Sequence, residues 1–351
     1  MKKGGAVNYK HCIKLITVHL IGLIRLPLIV ILLLTSLSAC QQNTTPLSQA
    51  RHSAVATYDA DISDDGKYSL IASVNHDAGL WDLENDVLLY NWSHSKETDI
   101  GIIAVDISSD GSRAVTATEK DMAVWDTQTG KNIGFYSLPE SDLRDIAISD
   151  RGDSLIMGLG DGRIIHLSLV TGRRLEFLAH GEAINSLDIS PNGRYVLSGA
   201  NDYRALLWDS KSGQILKQWK HNSRVILVSL SRDGSKAFSA GNKANGMIWD
   251  IKTGKKISQL DLAKRQYVLS SARFSSDNKQ LLTGAPSRQL ILWNAKDGMA
   301  LKQIRVGIRK INRPTGAIIY SVGFNAQGEL LSESSAGFGE RWSTTEGDSG
   351  D

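Results

Sequence analysis

Cysteine is almost missing from the 351 residues: there are two, Cys12 and Cys40. No disulfide framework can be built from them, so any fold has to be held by burial and hydrogen bonding. Paired ligands of the CxxC or HExxH kind are also missing, and His76, His94 and His166 fall at non-equivalent places in the chain, so no metal site and no cofactor are expected. No basic stretch with interleaved aromatics occurs, which disfavours nucleic acid as a partner. The net charge is small, with 40 Lys+Arg against 37 Asp+Glu.

What the chain does have is repetition. Residues 184–219 hold four short apolar runs separated by turn signals, with Pro191-Asn192-Gly193 after the first, Asn201-Asp202 after the second and Lys211-Ser212-Gly213 after the third. Runs of this length bounded by Gly, Asn and Asp read as a four-stranded antiparallel meander with no helical segment. The rest of the chain from Thr57 onward reads as imperfect copies. Turns end at Gly66, Gly111, Gly152, Gly193, Gly234, Asn278 and Gly328, and a third-strand position follows 14 or 15 residues later at Trp81, Trp125, Leu167, Trp208, Trp249, Trp293 and Trp342. Seven units at this spacing predict an all-β, seven-bladed propeller of four-stranded antiparallel blades.

A blade apolar on both faces cannot stand alone, so the ring must close. After Trp342 the chain has no apolar residue to form a last strand, whereas Pro46–Arg51 precedes His52 as Leu216–Lys220 precedes His221. The N-terminal segment is therefore expected to complete blade seven and leave no free sheet edge.

These repeats resemble those of the WD-repeat β-propellers. Trp-Asp stands at Trp81-Asp82, Trp125-Asp126, Trp208-Asp209 and Trp249-Asp250, with Trp293-Asn294 as a near match. The resemblance implies that His180, Ser198, Asp202 and Trp208 form a structural hydrogen-bond network and not a catalytic triad. Other blades depart from it: Asn245 and Ser287 replace the aspartate, blade three has lost the tryptophan, and blades one and two have shortened turns at Val74–Asp77 and Glu119–Asp121. One architecture hosts many roles, so fold is better specified here than function.

Ahead of the repeats, residues 1–25 carry Lys2, Lys3, Lys10, Lys14 and Arg25 with no acid, and an apolar run follows and ends at Leu37-Ser38-Ala39-Cys40. The pattern has the basic and apolar regions of an export signal, and its end resembles a bacterial lipobox. That implies cleavage after residue 39, lipid on Cys40, a tether over residues 40–45, the propeller over 46–345 and a polar tail over 346–351. An uncleaved membrane anchor would instead place Arg25 and Pro27 near mid-bilayer, at a cost. Gln41 after the cysteine resembles the signal that favours the outer membrane, facing the periplasm, over the inner membrane. Losing five basic residues leaves a mature chain at about −2.

Two groups of propeller residues are functional candidates. Asp61, Asp106, Asp188 and Arg273 fall on the innermost strands and point toward a shared axis, where they bind a cation, act as an acid/base pair or simply line hydrated space. By the family resemblance, partner-binding side chains sit near the start of each first strand: Tyr320, Tyr58 and Ile103 form a continuous patch with Arg144 at its border, and Asn185, Ile226 and Ser270 are the remaining positions of that rim. The expected role is a non-catalytic, lipid-anchored interaction scaffold that binds protein or peptide as a monomeric ring. The alternatives are an accessory subunit of outer-membrane protein assembly and a hydrolase at the channel mouth. Asp61–Gly66 and Gly158–Gly162 imitate a calcium loop and a phosphate loop, but the first lacks its twelfth ligand and no helix follows the second, so both read as turns.

Overall fold

The computed structural model describes residues 45–73, 77–94, 101–138, 142–243, 245–262, 268–309 and 316–344. The first strand is β1 (Ser48–Arg51). Blade one follows as β2 (Thr57–Ile62), β3 (Tyr68–Ser73), β4 (Ala78–Asp82) and β5 (Val87–Trp92). Blade two is β6 (Ala104–Ile107), β7 (Arg113–Ala117), β8 (Asp121–Asp126) and β9 (Asn132–Ser137), and blade three is β10 (Leu143–Ile148), β11 (Ser154–Leu159), β12 (Arg163–Ser168) and β13 (Arg174–Leu178). Blade four is β14 (Ile184–Ile189), β15 (Tyr195–Ala200), β16 (Arg204–Asp209) and β17 (Ile215–Lys220). Blade five is β18 (Val225–Leu230), β19 (Lys236–Gly241), β20 (Asn245–Asp250) and β21 (Lys256–Gln259). Blade six is β22 (Ser271–Phe274), β23 (Gln280–Gly284), β24 (Gln289–Asn294) and β25 (Ala300–Arg305). The last three strands are β26 (Ile319–Phe324), β27 (Leu330–Ser334) and β28 (Phe338–Trp342).

Seven four-stranded sheets result. Six are consecutive meanders, and the seventh runs β1-β28-β27-β26. β1 pairs antiparallel with β28, Ser48 opposite Arg341 and Arg51 opposite Phe338, so a segment from the start of the ring supplies the outer strand of its last blade.

The turns explain why the meanders form. All seven positions from Gly66 to Gly328 have φ between +57° and +78°, Asn278 included, a region open to glycine and tolerated by asparagine. In five blades a serine hydroxyl two residues before the turn's Asp or Asn bonds that side chain, as Ser63 Oγ does to Asp65 Oδ1 at 2.6 Å and Ser231 Oγ to Asp233 Oδ1 at 2.8 Å. The Asp61–Gly66 segment is one of these turns, its Asp65 carboxylate also accepting the Lys67 N–H at 3.0 Å.

The core lies between blades and not within them. Six apolar clusters each straddle one neighbouring pair, from blades one and two through blades six and seven. Aromatic contacts reinforce them: Trp92 of blade one stacks on Trp125 of blade two at 5.0 Å, and Trp219 of blade four on Trp249 of blade five at 5.3 Å. At the remaining junction, between blades seven and one, the buried Ile62 and Leu331 pack between the blades and polar contacts are added to them. His52 Nδ1 meets Glu333 at 2.8 Å, Ile62 N–H donates to Ser321 Oγ at 3.0 Å, and Arg309 donates to the carbonyls of Ser53, Ala54 and Val55.

Candidate functional site

The innermost strands β2, β6, β10, β14, β18, β22 and β26 surround an axial cavity of about 380 Å³. At its mouth stand all seven rim positions: Tyr58, Ile103, Arg144, Asn185, Ile226, Ser270 and Tyr320. Five of them are the extra residue of a β-bulge, since the ladder skips Tyr58, Arg144, Asn185, Ile226 and Tyr320 between paired neighbours. A bulge leaves its extra residue unpaired and re-aims its side chain, which is how a strand otherwise committed to the core presents one residue at the mouth. Tyr58 is 52% and Ile103 37% exposed, Arg144 is exposed, and Tyr320 is half-buried.

Below the rim the cavity is acidic. Asp61, Asp106, Asp188 and Arg273 all line it, together with Asp59 and Asp145. These last two lie two residues before the Asp61 position on the same strand face, beyond the pair of residues that ends each first strand; the period-2 alternation of a strand was the available signal. Neighbouring inner strands are not hydrogen-bonded to each other as a sheet, and the carboxylates bridge them instead. Asp59 accepts the Val105 N–H (2.9 Å), Asp61 that of Ile107 (3.2 Å) and Asp106 that of Ile148 (2.7 Å). Asp145 and Asp188 accept from Leu187 and Leu230, both at 2.6 Å. Arg273 of blade six reaches forward as well, as a donor, to the Val322 carbonyl of blade seven at 3.0 Å and to Asp61 (2.8 Å) and Asp64 of blade one. Burial pushes Asp59 up to about 8 and Asp145 and Asp188 up to about 7, against the lowering effect of their backbone donors, and raises Asp106 as well. Each of these side chains is thus already engaged as a latch between adjacent blades. Among the described residues no group of three or more His, Cys, Asp or Glu side chains has the geometry to hold a metal ion.

In blade four, His180 in the loop before β14 places Nδ1 2.9 Å from Asp202 and Nε2 2.7 Å from Ser198 Oγ, and Trp208 Nε1 donates to the same hydroxyl at 3.2 Å. Burial lowers the His180 pKa despite the neighbouring Asp202 carboxylate, and His180 and Ser198 are buried away from the axial cavity. His94 occupies in blade two the place His180 holds in blade four, with Asp121 at 2.5 Å, Thr116 at 2.7 Å, and Trp125 Nε1 donating to Thr116 at 2.8 Å. The shortened turn hides this in sequence, because Asp121 already belongs to the strand yet its carboxylate arrives at the same point. Blade five keeps His221, Ser239 and Trp249 but leaves His221 Nδ1 without a partner, and burial alone drives that histidine down to about 4. In blade one, His52 stacks on Trp81 at 4.5 Å and pairs across the ring seam with Glu333. Glu333 and Glu340, both buried in blade seven, went unnoticed in the sequence; carboxylates at inward strand positions were the available signal. His166 bonds Ser154 at 3.1 Å within its own blade. Cys40, the apolar run before it, most of the tether and the polar tail lie outside the described residues, as does His76.

A family model described as "WD domain, G-beta repeat" matches residues 172–209, which includes most of blade four. Among solved structures, a chain in a "Crystal Structure of Mitotic Checkpoint Complex" superposes with a TM-score of 0.71 at 16% identity, covering 87% of this chain and 93% of that one. In all 1920 solved chains match, so the likeness identifies an architecture and no single role. The comparison with curated proteins returned no match. Fold and repeat match agree: this chain is a seven-bladed β-propeller carrying a WD repeat.

Proposed function

We propose that the protein is a non-catalytic binding platform that receives a protein or peptide at the axial mouth and is held at a membrane by lipid on Cys40. The observation that carries this reading is the division of labour at the mouth. The carboxylates below are occupied by backbone N–H groups, while Tyr58 and Ile103 stay exposed above them and Arg144 stands beside. Aromatic and arginine side chains on a rigid frame are the usual anchors of an interface, and carboxylates already serving as inter-strand acceptors are poorly placed for acid/base turnover. The fold's occurrence in a structure titled as a complex accords with a role in assembly. The sequence pattern around Cys40 supports an outer-membrane location facing the periplasm, with the inner membrane as the other outcome of fractionation.

The test is a photo-crosslinking residue at position 58 or 320 in intact cells, with exposed position 211 as control. An adduct of defined mass at the two rim positions and not at 211 is the expected result; equal labelling at all three removes the platform reading. Cys40→Ser should shift the protein from the membrane to the soluble fraction, and retention of the variant on the membrane excludes lipid as the anchor.

A further inference from the structure

Charge is divided unevenly around the ring. From Thr57 to Leu178, blades one to three, there are 22 acidic and 10 basic residues, whereas from Val225 to Arg305, blades five and six, there are 5 acidic and 14 basic. Part of this positive charge converges on an open groove of about 490 Å³ between blades five and six. It lies at the end of the ring opposite the rim, because its residues come from turns joining first to second and third to fourth strands. Lys236, Lys279 and Lys296 line it, and the exposed Lys255 and Lys256 immediately precede its apolar wall residue Ile257. Leu301, 47% exposed, is the facing apolar wall.

The groove also holds an anomaly. Asn278 stands where the other six blades have glycine, adopts φ +57°, is 5% exposed, and leaves its Oδ1 with no hydrogen-bond partner. A buried acceptor without a donor is costly, and Asn278 is itself one of the groove's lining residues, with a broad Cβ–Cγ torsion about which its amide can turn.

We propose that this groove docks an extended acidic peptide segment of a partner protein. Its carboxylates meet Lys236, Lys279 and Lys296, its apolar side chains lie on Ile257 and Leu301, and a backbone N–H reaches the Asn278 amide oxygen. Concave apolar walls favour a peptide over a flat anionic membrane, and no aromatic side chain lines the groove on which a base could stack. Lys279 pairs with Asp277 at 3.1 Å, both side chains are exposed, and a partner's carboxylate can take over such a screened pair.

The probe is a fluorescein-labelled hexapeptide alternating aspartate and leucine, titrated by anisotropy against the full chain purified in detergent. Saturable binding is expected that weakens as salt rises from about 50 to about 300 mM. Lys279→Glu with Lys296→Glu should reduce affinity about tenfold, since two exposed charges are reversed. Asn278→Gly restores the turn residue of the other blades and should reduce it about threefold without unfolding. Tyr58→Ala should leave peptide affinity unchanged, which separates this groove from the rim. No saturable binding, or equal affinity in the parent and both groove variants, overturns the proposal. So does stronger, lysine-dependent binding to phosphatidylglycerol vesicles than to the peptide, or competition by self-association of the ring through its acidic blades.

Discussion

At Asp59 and Asp145 the fold changes the chemistry of a side chain more than at most other places in the ring. Both carboxyls are desolvated, both accept a backbone N–H from the next blade, and both hold their proton far above the ordinary value of 3.8, to about 8 and about 7. The folded state therefore binds a proton that the unfolded chain has already released. Stability from these groups is complete below pH 3.8 and is lost as pH rises through 7 to 8. His52 has the same sign, since the Glu333 carboxylate outweighs burial and raises its pKa. Turn carboxylates act oppositely: the Thr129 N–H lowers Asp126 and the Thr253 N–H lowers Asp250, so their contribution fades only in acid. Asp59→Asn and Asp145→Asn keep an acceptor and remove the charge. The fall in Tm between about pH 5 and about pH 9 should shrink in each by about 2–4 °C, corresponding to roughly 1 kcal/mol per site once water in the axial cavity is allowed for. A pH profile parallel to the parent's would contradict the assigned protonation.

Elements of the ring are built alike but are not equally tolerant, and the turn glycines separate local from neighbouring constraint. Gly66 and Gly234 have nearly the same φ, +68° and +69°, so an added Cβ strains both turns. At Gly66 that Cβ also meets the Phe324 carbonyl oxygen and the Asn325 backbone of blade seven, whereas at Gly234 nothing lies within 4 Å. Gly234→Ala should cost about 1 kcal/mol. Gly66→Ala should cost roughly 3 kcal/mol or more, because backbone in the adjacent blade has to move. Chemical denaturation of the two variants checks this, and equal costs would mean that blades seven and one do not touch at this turn.

Across the whole molecule, six junctions between blades hold a large apolar cluster among the described residues, whereas the seventh combines the buried Ile62 and Leu331 with polar contacts, so the ring should open beside the blade that β1 completes. Gln49 of β1 donates to the buried Glu340 at 2.6 Å, and removing the strand leaves that carboxylate short of a partner beside Gly307 N–H. A chain beginning at His52 should melt at least about 5 °C lower, and its exposed β28 edge should make it associate as concentration rises. An unchanged Tm and a monomeric profile by size-exclusion chromatography would show that closure does not depend on β1.

The seven turns, the tryptophans after them and the need for a borrowed strand were legible in the sequence, because φ tolerance, strand length and a missing apolar run are properties of a few adjacent residues. The rim was reachable by counting from the turns, but the bulges that re-aim Tyr58, Arg144 and Tyr320 were not, since a bulge is defined by the register of a second strand. Asp59 and Asp145 gained their meaning only when the fold set them against N–H groups some forty residues away, and His94 became the counterpart of His180 only when Asp121 arrived beside it. The uneven charge was countable from the start, yet whether lysines from two blades would share a groove or scatter depended on how those blades pack. Local backbone preference is written in the chain, whereas the distance between side chains on different blades exists only after the ring has closed.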